Sequence, residues 1–107
     1  MRDWNVATLG EMSDAKVRML HRPSGNFRIS RSTHAAGEDD DGVMRAGICY
    51  VLHGTCSFRF GSQEAIEIRE GQFATLPEGT YHFRVLGEAP VELIMVWELP
   101  EDFRSPA

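Results

Sequence analysis

The stretch Gly71-Gln72-Phe73-Ala74-Thr75-Leu76-Pro77-Glu78-Gly79-Thr80-Tyr81-His82 decides the fold. Its two halves begin strands, Gln72 to Leu76 and Thr80 to Leu86, and a Pro-x-Gly corner separates them. Side chains that alternate between apolar and polar have the period of a strand with one buried face. Pro77 fixes its own backbone and Gly79 adopts angles that side chains resist, so the corner is rigid and aims the next strand across a barrel mouth.

The same pattern continues outward in both directions. Upstream, Ile66 and Ile68 share one face of a run from Ala65 to Ile68, and Cys56, Phe58 and Phe60 alternate with Ser57 and Arg59. Further upstream come Gly47 to Leu52, and then Phe27 and Ile29 alternating with Arg28 and Ser30. Downstream, Val91 to Leu99 forms a last long run. Gly61-Ser62, Glu70-Gly71 and Gly87-Glu88-Ala89-Pro90 lie between these runs and are turn sequences. No helical stripe persists for about twelve residues. Trp4 to Leu9 and Lys16 to Leu20 are read as two further edge strands. Roughly eight to ten short strands imply an all-β sandwich or small barrel. Such a fold must protect its edges, so a homodimer is expected.

Composition narrows the partners. The 107 residues hold 11 Lys and Arg against 16 Asp and Glu, a net charge of −5. The basic residues are scattered, which argues against nucleic acid, because phosphate binding needs them clustered. No apolar run approaches the roughly 18 residues of a membrane span. Met1-Arg2-Asp3-Trp4 does not open a secretory signal, so a cytoplasmic location is expected. Cys49 and Cys56 fall in one apparent hairpin and read as free, buried thiols. One domain spans 1–107: a barrel over about 27–99, an N-terminal arm over 1–26 and a polar tail over 100–107. The tail is expected to lie over the surface.

Two segments resemble the cupin family, whose members are double-stranded β-helix, or jelly-roll, barrels. Gly47-Ile48-Cys49-Tyr50-Val51-Leu52-His53-Gly54 is similar to the strand and tight turn that close the family's first motif. The stretch from Gly71 to His82 fits the second motif: Gly, five residues, Pro-x-Gly, two residues, His. The resemblance implies a cavity inside the barrel and, in metal-binding members, ligands from both motifs. Counting back from Tyr50 puts the first-motif ligand positions at Asp41, Val43 and Gly47, where the usual His and Glu side chains are missing. His82 stands at the second-motif position. Its spacing to Gly87 leaves two registers open, one with His82 inward and one with Tyr81, Phe83 and Val85 inward. A metal site is therefore not favoured. If a divalent transition metal binds, His82, His34 and His53 are the ligands to expect, with Cys49 as a soft donor.

The acidic run Glu38-Asp39-Asp40-Asp41-Gly42 is not an EF-hand loop, which would need acids where Gly37 and Ile48 stand. It reads as a solvated loop. His21, beside Arg22-Pro23, reads as a loop residue. The expected ligand pocket is lined by Gly47, Cys49, Val51, Phe58, Tyr81 or His82, Phe83 or Arg84, and Met95 or Trp97, and Gly47 leaves room for a ligand. His82 is the first acid–base candidate, Tyr81 could steady an oxyanion, and Cys49 facing His82 would make a nucleophile pair. Against these stands a packed barrel wall, to which Phe58, Phe60 and Trp97 would also belong. Arg28, Arg31 and Arg45 would select a carboxylate or phosphate if they point inward; otherwise they are exposed strand charges. Three functions follow. The first is a small-molecule-binding cupin with a degenerate metal site, acting without a metal cofactor. The alternatives are a metal-dependent dioxygenase, isomerase or lyase with unusual ligands, and a non-catalytic sensing module.

Overall fold

Residues 2–4, 6–21 and 27–98 are described in a computed structural model of the chain. They run as β1 (Arg2–Asp3), α1 (Val6–Leu9), α2 (Asp14–His21), β2 (Phe27–His34), β3 (Asp39–Met44) and β4 (Gly47–His53). Then follow β5 (Thr55–Phe60), β6 (Ile66–Arg69), β7 (Gln72–Leu76), β8 (Gly79–Leu86) and β9 (Val91–Glu98). The strands make two antiparallel sheets, ordered β1-β7-β4-β9-β2 and β3-β8-β5-β6. This is the all-β architecture that the strand pattern implied, in the jelly-roll form that the family resemblance implied. The polar tail read at 100–107 lies outside the described residues.

From β2 onward the chain changes sheet at every connection except β5 to β6. Cys49 and Cys56 therefore do not share a hairpin, contrary to the sequence reading. Strand β4 belongs to the five-stranded sheet and β5 to the four-stranded one, and Gly54 is the corner between them. Its φ of 82° lies in the left-handed region, and a side chain there would meet the Pro90 carbonyl. Alternation within single strands cannot distinguish a corner from a hairpin, because both need the same turn residue.

The space between the sheets is filled by Cys49, Val51, Cys56, Phe58, Ile68, Leu76, Phe83, Val85, Leu93 and Met95, all buried. A second apolar layer lies on the far side of the five-stranded sheet. There Trp4 and Val17 cover Tyr50, Ile94 and Val96. The N-terminal stretch is thus mostly helical, and the two edge strands expected there are corrected. Among the described residues of this stretch, only Arg2 and Asp3 pair along an edge, with Phe73 and Gln72. Helix α2 is too short to show a periodic stripe over several turns, which is why it was missed. The Asp14 and Arg18 side chains pair at 2.9 Å along it. Trp4 is fixed at both ends: its indole donates to the Gly10 carbonyl at 2.8 Å and its backbone N–H to that of Gly71 at 2.9 Å.

The acidic run is also corrected. Asp39 to Met44 is a strand, paired with Arg84 to Gly79 along β8. It lies at the sheet edge, where one face meets water, and so lacks the apolar alternation of an inner strand. His21 closes α2, and its Nε2 shares a hydrogen bond of 2.9 Å with the Tyr50 hydroxyl.

Gly54→Ala is expected to cost more than about 1–2 kcal/mol, because it adds a backbone clash to the left-handed penalty. Gly61→Ala, whose added carbon meets open space, should cost no more than that penalty. Urea unfolding followed by tryptophan fluorescence distinguishes the two.

Burial holds the His21 imidazole below the ordinary value of 6.5. The unfolded chain therefore binds this proton more tightly than the folded one. The stability it brings is fully present above pH 6.5 and is lost as pH falls below that, down through the lower value of the folded chain. Denaturant titrations between pH 5 and 8 should show this increment in the wild type and not in His21→Asn.

Candidate functional site

Strand β2 sets the site. Its even-numbered residues Arg28, Ser30, Ser32 and His34 face a cavity of about 500 Å³. Ile29 turns the opposite way, onto the outer apolar layer, and Arg31 on that side pairs with Glu92 at 2.6 Å. An apolar strand residue normally points into a barrel. Here it points outward because Trp4 and Val17 of the N-terminal segment build an apolar layer on the outer face of this sheet.

Facing β2 across the barrel are Phe58, Tyr81 and Phe83 of the four-stranded sheet, with Val43, Met44 and Arg45 at and just after the end of β3, while Leu93, Met95 and Trp97 stand beside it on β9. Phe58 and Phe83 lie 5.0 Å apart between ring centres, and Phe58 and Tyr81 5.6 Å apart. The Tyr81 ring rests over Gly42, where any side chain would collide with it. Strands β2 and β9 pair Arg28 with Trp97, and the guanidinium sits 5.8 Å from the ring centre. An arginine over an aromatic face keeps its hydrogen-bond donors free for an anion.

His34 is partnered on both nitrogens. Nδ1 lies 2.5 Å from Glu38 Oε2, and Nε2 lies 3.0 Å from Ser32 Oγ. The Phe83 ring packs 4.9 Å from the imidazole centre. Glu38 is itself anchored: its N–H donates to the Ala35 carbonyl and its own carbonyl accepts from Val85 N–H.

The register left open in the sequence is now placed. Tyr81, Phe83 and Val85 face inward, and His82 faces out of the barrel. There the His82 nitrogens lie 2.8 Å from Asp39 and 2.6 Å from Asp41, and Arg84 approaches Asp39 at 3.3 Å. His82 and Arg84 therefore do not line the cavity.

Three other pocket expectations are corrected. Cys49 and Val51 lie fully buried in the core and do not line the cavity. Gly47 opens no space for a ligand, since the Val96 carbonyl of β9 already occupies the position of a Cβ. Cys49 cannot pair with His82, which is outside the barrel. Its thiol is held well above its ordinary range by the Cys56 hydrogen bond and by burial, so it is no ready nucleophile.

Of the arginines, Arg28 and Arg45 reach the cavity and Arg31 does not. The sequence reading did not name Ser30, Ser32, Glu38, Val43, Met44 or Leu93 for the site. The alternation of Arg28 and Ser30 with Phe27 and Ile29 is visible in the sequence, but it leaves open which face of the strand is inside.

No family model matches the chain, and neither does any curated protein. Solved structures do. The Cupin_2 domain of an XRE family transcriptional regulator from Enterobacter cloacae superposes with a TM-score of 0.64 at 13% identity, over 74% of this chain and 87% of that one. A cupin superfamily protein from Desulfitobacterium hafniense gives 0.58 at 17%, over 70% and 69%. A DMSP lyase from Ruegeria pomeroyi gives 0.61 at 16%, over 75% of this chain and 42% of that one. Likeness at this level establishes the architecture and leaves the chemistry to the side chains.

Those side chains do not fit a divalent metal. Asp41 is turned outward onto His82, Val43 is exposed and Gly47 offers no donor. The alternative ligands disperse as well: His34 binds Glu38, and His53 sits at the surface 3.0 Å from Glu70. A register shift between Val51 and His53 takes the latter off the inward face. Among the described residues no group of three or more His, Cys, Asp or Glu side chains is arranged to hold a metal ion.

The burial of Cys49 and Cys56 has a direct test. The native protein is expected to give no rapid reaction with Ellman's reagent, and both thiols should titrate after unfolding in guanidinium chloride. A fast native thiol would contradict their placement in the core.

Proposed function

For a small cupin-type barrel with this cavity, we propose the binding of a small organic anion: an apolar or aromatic body carrying a carboxylate. The carrying observation is a polar row and an apolar, aromatic surface that line one cavity. Arg28, Ser30, Ser32 and His34 offer charge and hydrogen bonds, and Phe58, Tyr81, Phe83, Leu93, Met95 and Trp97 offer apolar surface. A volume near 500 Å³ suits a metabolite-sized ligand. Arg28 and Arg45 stand where the charged end would be held, and a guanidinium fits a carboxylate through two parallel hydrogen bonds. No step of this recognition calls on a bound metal.

Isothermal titration with a panel of small aromatic and aliphatic carboxylates, alongside their amides, tests the reading. Carboxylates are expected to bind and the amides to bind at least about tenfold more weakly, equal to about 1.4 kcal/mol. Arg28→Gln or Arg45→Gln should remove that preference, whereas His82→Ala should leave it intact. Equal affinity for acids and amides would count against the reading.

A further inference from the structure

We propose that Ser32, His34 and Glu38 form a carboxylate–imidazole–hydroxyl relay that makes Ser32 a nucleophile toward small carboxylic esters entering the cavity. The geometry begins on one strand. Residues two apart on β2 share a face, so Ser32 and His34 both point into the cavity. After His34 the chain turns, with Glu38 N–H bonded to Ala35 O, and the turn brings the Glu38 carboxylate back to the same ring. Val85 holds the Glu38 backbone from β8, so the turn is fixed to the opposite sheet.

The hydrogen bonds set the tautomer. A carboxylate only accepts, so His34 Nδ1 carries the proton and donates to Glu38 Oε2. Nε2 is then the ring's acceptor, and the Ser32 hydroxyl donates to it at 3.0 Å. A hydroxyl bonded to an imidazole that a carboxylate orients is the arrangement that activates a serine. Phe83 against the ring limits its rotation. Tyr81 lines the same cavity, and its hydroxyl is a donor for an oxyanion.

The reaction closes on water as its co-reactant. Ser32 Oγ bonds to the ester carbonyl carbon while its proton passes to His34 Nε2. The carbon–oxygen bond to the alcohol then breaks, and the departing oxygen takes that proton. Water attacks the acyl-serine, gives one proton to Nε2 and releases the carboxylic acid as Ser32 Oγ recovers it. The sum is ester plus water giving acid plus alcohol. Ser32 and His34 touch the reacting atoms, whereas Glu38 acts through His34 and is a positioning residue.

This relay is independent of the arginine-based binding above, because a small neutral probe needs neither Arg28 nor Arg45. The full chain is incubated with an alkyl fluorophosphonate, which transfers its phosphonyl group to the activated serine oxygen as fluoride leaves. Intact-mass and peptide analysis should find one adduct, on Ser32. Ser32→Ala should abolish it, and His34→Ala should slow it about 100-fold or more.

Thr33→Ala, on the opposite face of β2, is expected to label like the wild type. With p-nitrophenyl acetate, Glu38→Gln should lower kcat at least about tenfold with KM within about twofold. Circular dichroism and melting curves establish that each variant is folded. No adduct on folded wild type, an adduct at another residue, or Ser32 labelling that His34→Ala leaves unchanged would each overturn the proposal.

Discussion

Strands β4 and β9 lie side by side with apolar side chains on both faces, and the rest of the structure follows from covering them. Cys49, Val51, Leu93 and Met95 point into the barrel, while Tyr50, Ile94 and Val96 point away from it. A sheet buried on both sides needs two partners. The four-stranded sheet covers one face, and the N-terminal segment, through Trp4 ahead of α1 and Val17 of α2, covers the other. Apolar burial is worth roughly 25 cal/mol per Å², so both covers contribute to stability. The double cover also frees the neighbouring strand β2 to present polar side chains inward.

That reversal explains where the sequence could be read and where it could not. The segment from Gly71 to His82 was legible because each residue type has one mechanical use there: a turn glycine, a corner proline and two alternating strands. The strands β4 to β9 were likewise legible, since each has a buried face of Val, Ile, Leu, Phe or Cys. Strand β3 was not, because an acidic edge strand carries no apolar row that a loop would lack. Its inner side depends on Met44, and its Gly42 is needed only because Tyr81 lies across it.

The site was the least legible part. Period-two alternation gives the two faces of β2 but not which of them is inside, and the usual assumption puts Ile29 there. Only the cover over the outer layer decides the question, and that cover is a helix whose eight residues fall below the length at which periodicity speaks. Glu38 was hidden for another reason. Its relation to His34 depends on a turn, and a turn within an acidic run looks like any solvated loop. The family-like positions, by contrast, were easy to number and carry no site, since Gly47 packs on β9 and His82 faces outward.

The alternation of sheets along the chain has a kinetic consequence. Among the described strands, β5 and β6 are the one pair adjacent in sequence that hydrogen-bond to each other. Every other ladder joins segments that are distant along the chain, so folding must close large loops before most contacts form, and topologies of this kind fold slowly. The cavity is affected most. Its polar wall, β2, hydrogen-bonds to β9, the first long strand of the barrel to the last. During synthesis the wall that carries Ser32 and His34 therefore has no neighbour in its sheet until β9 has left the ribosome, and the cavity is one of the last features of the molecule to form.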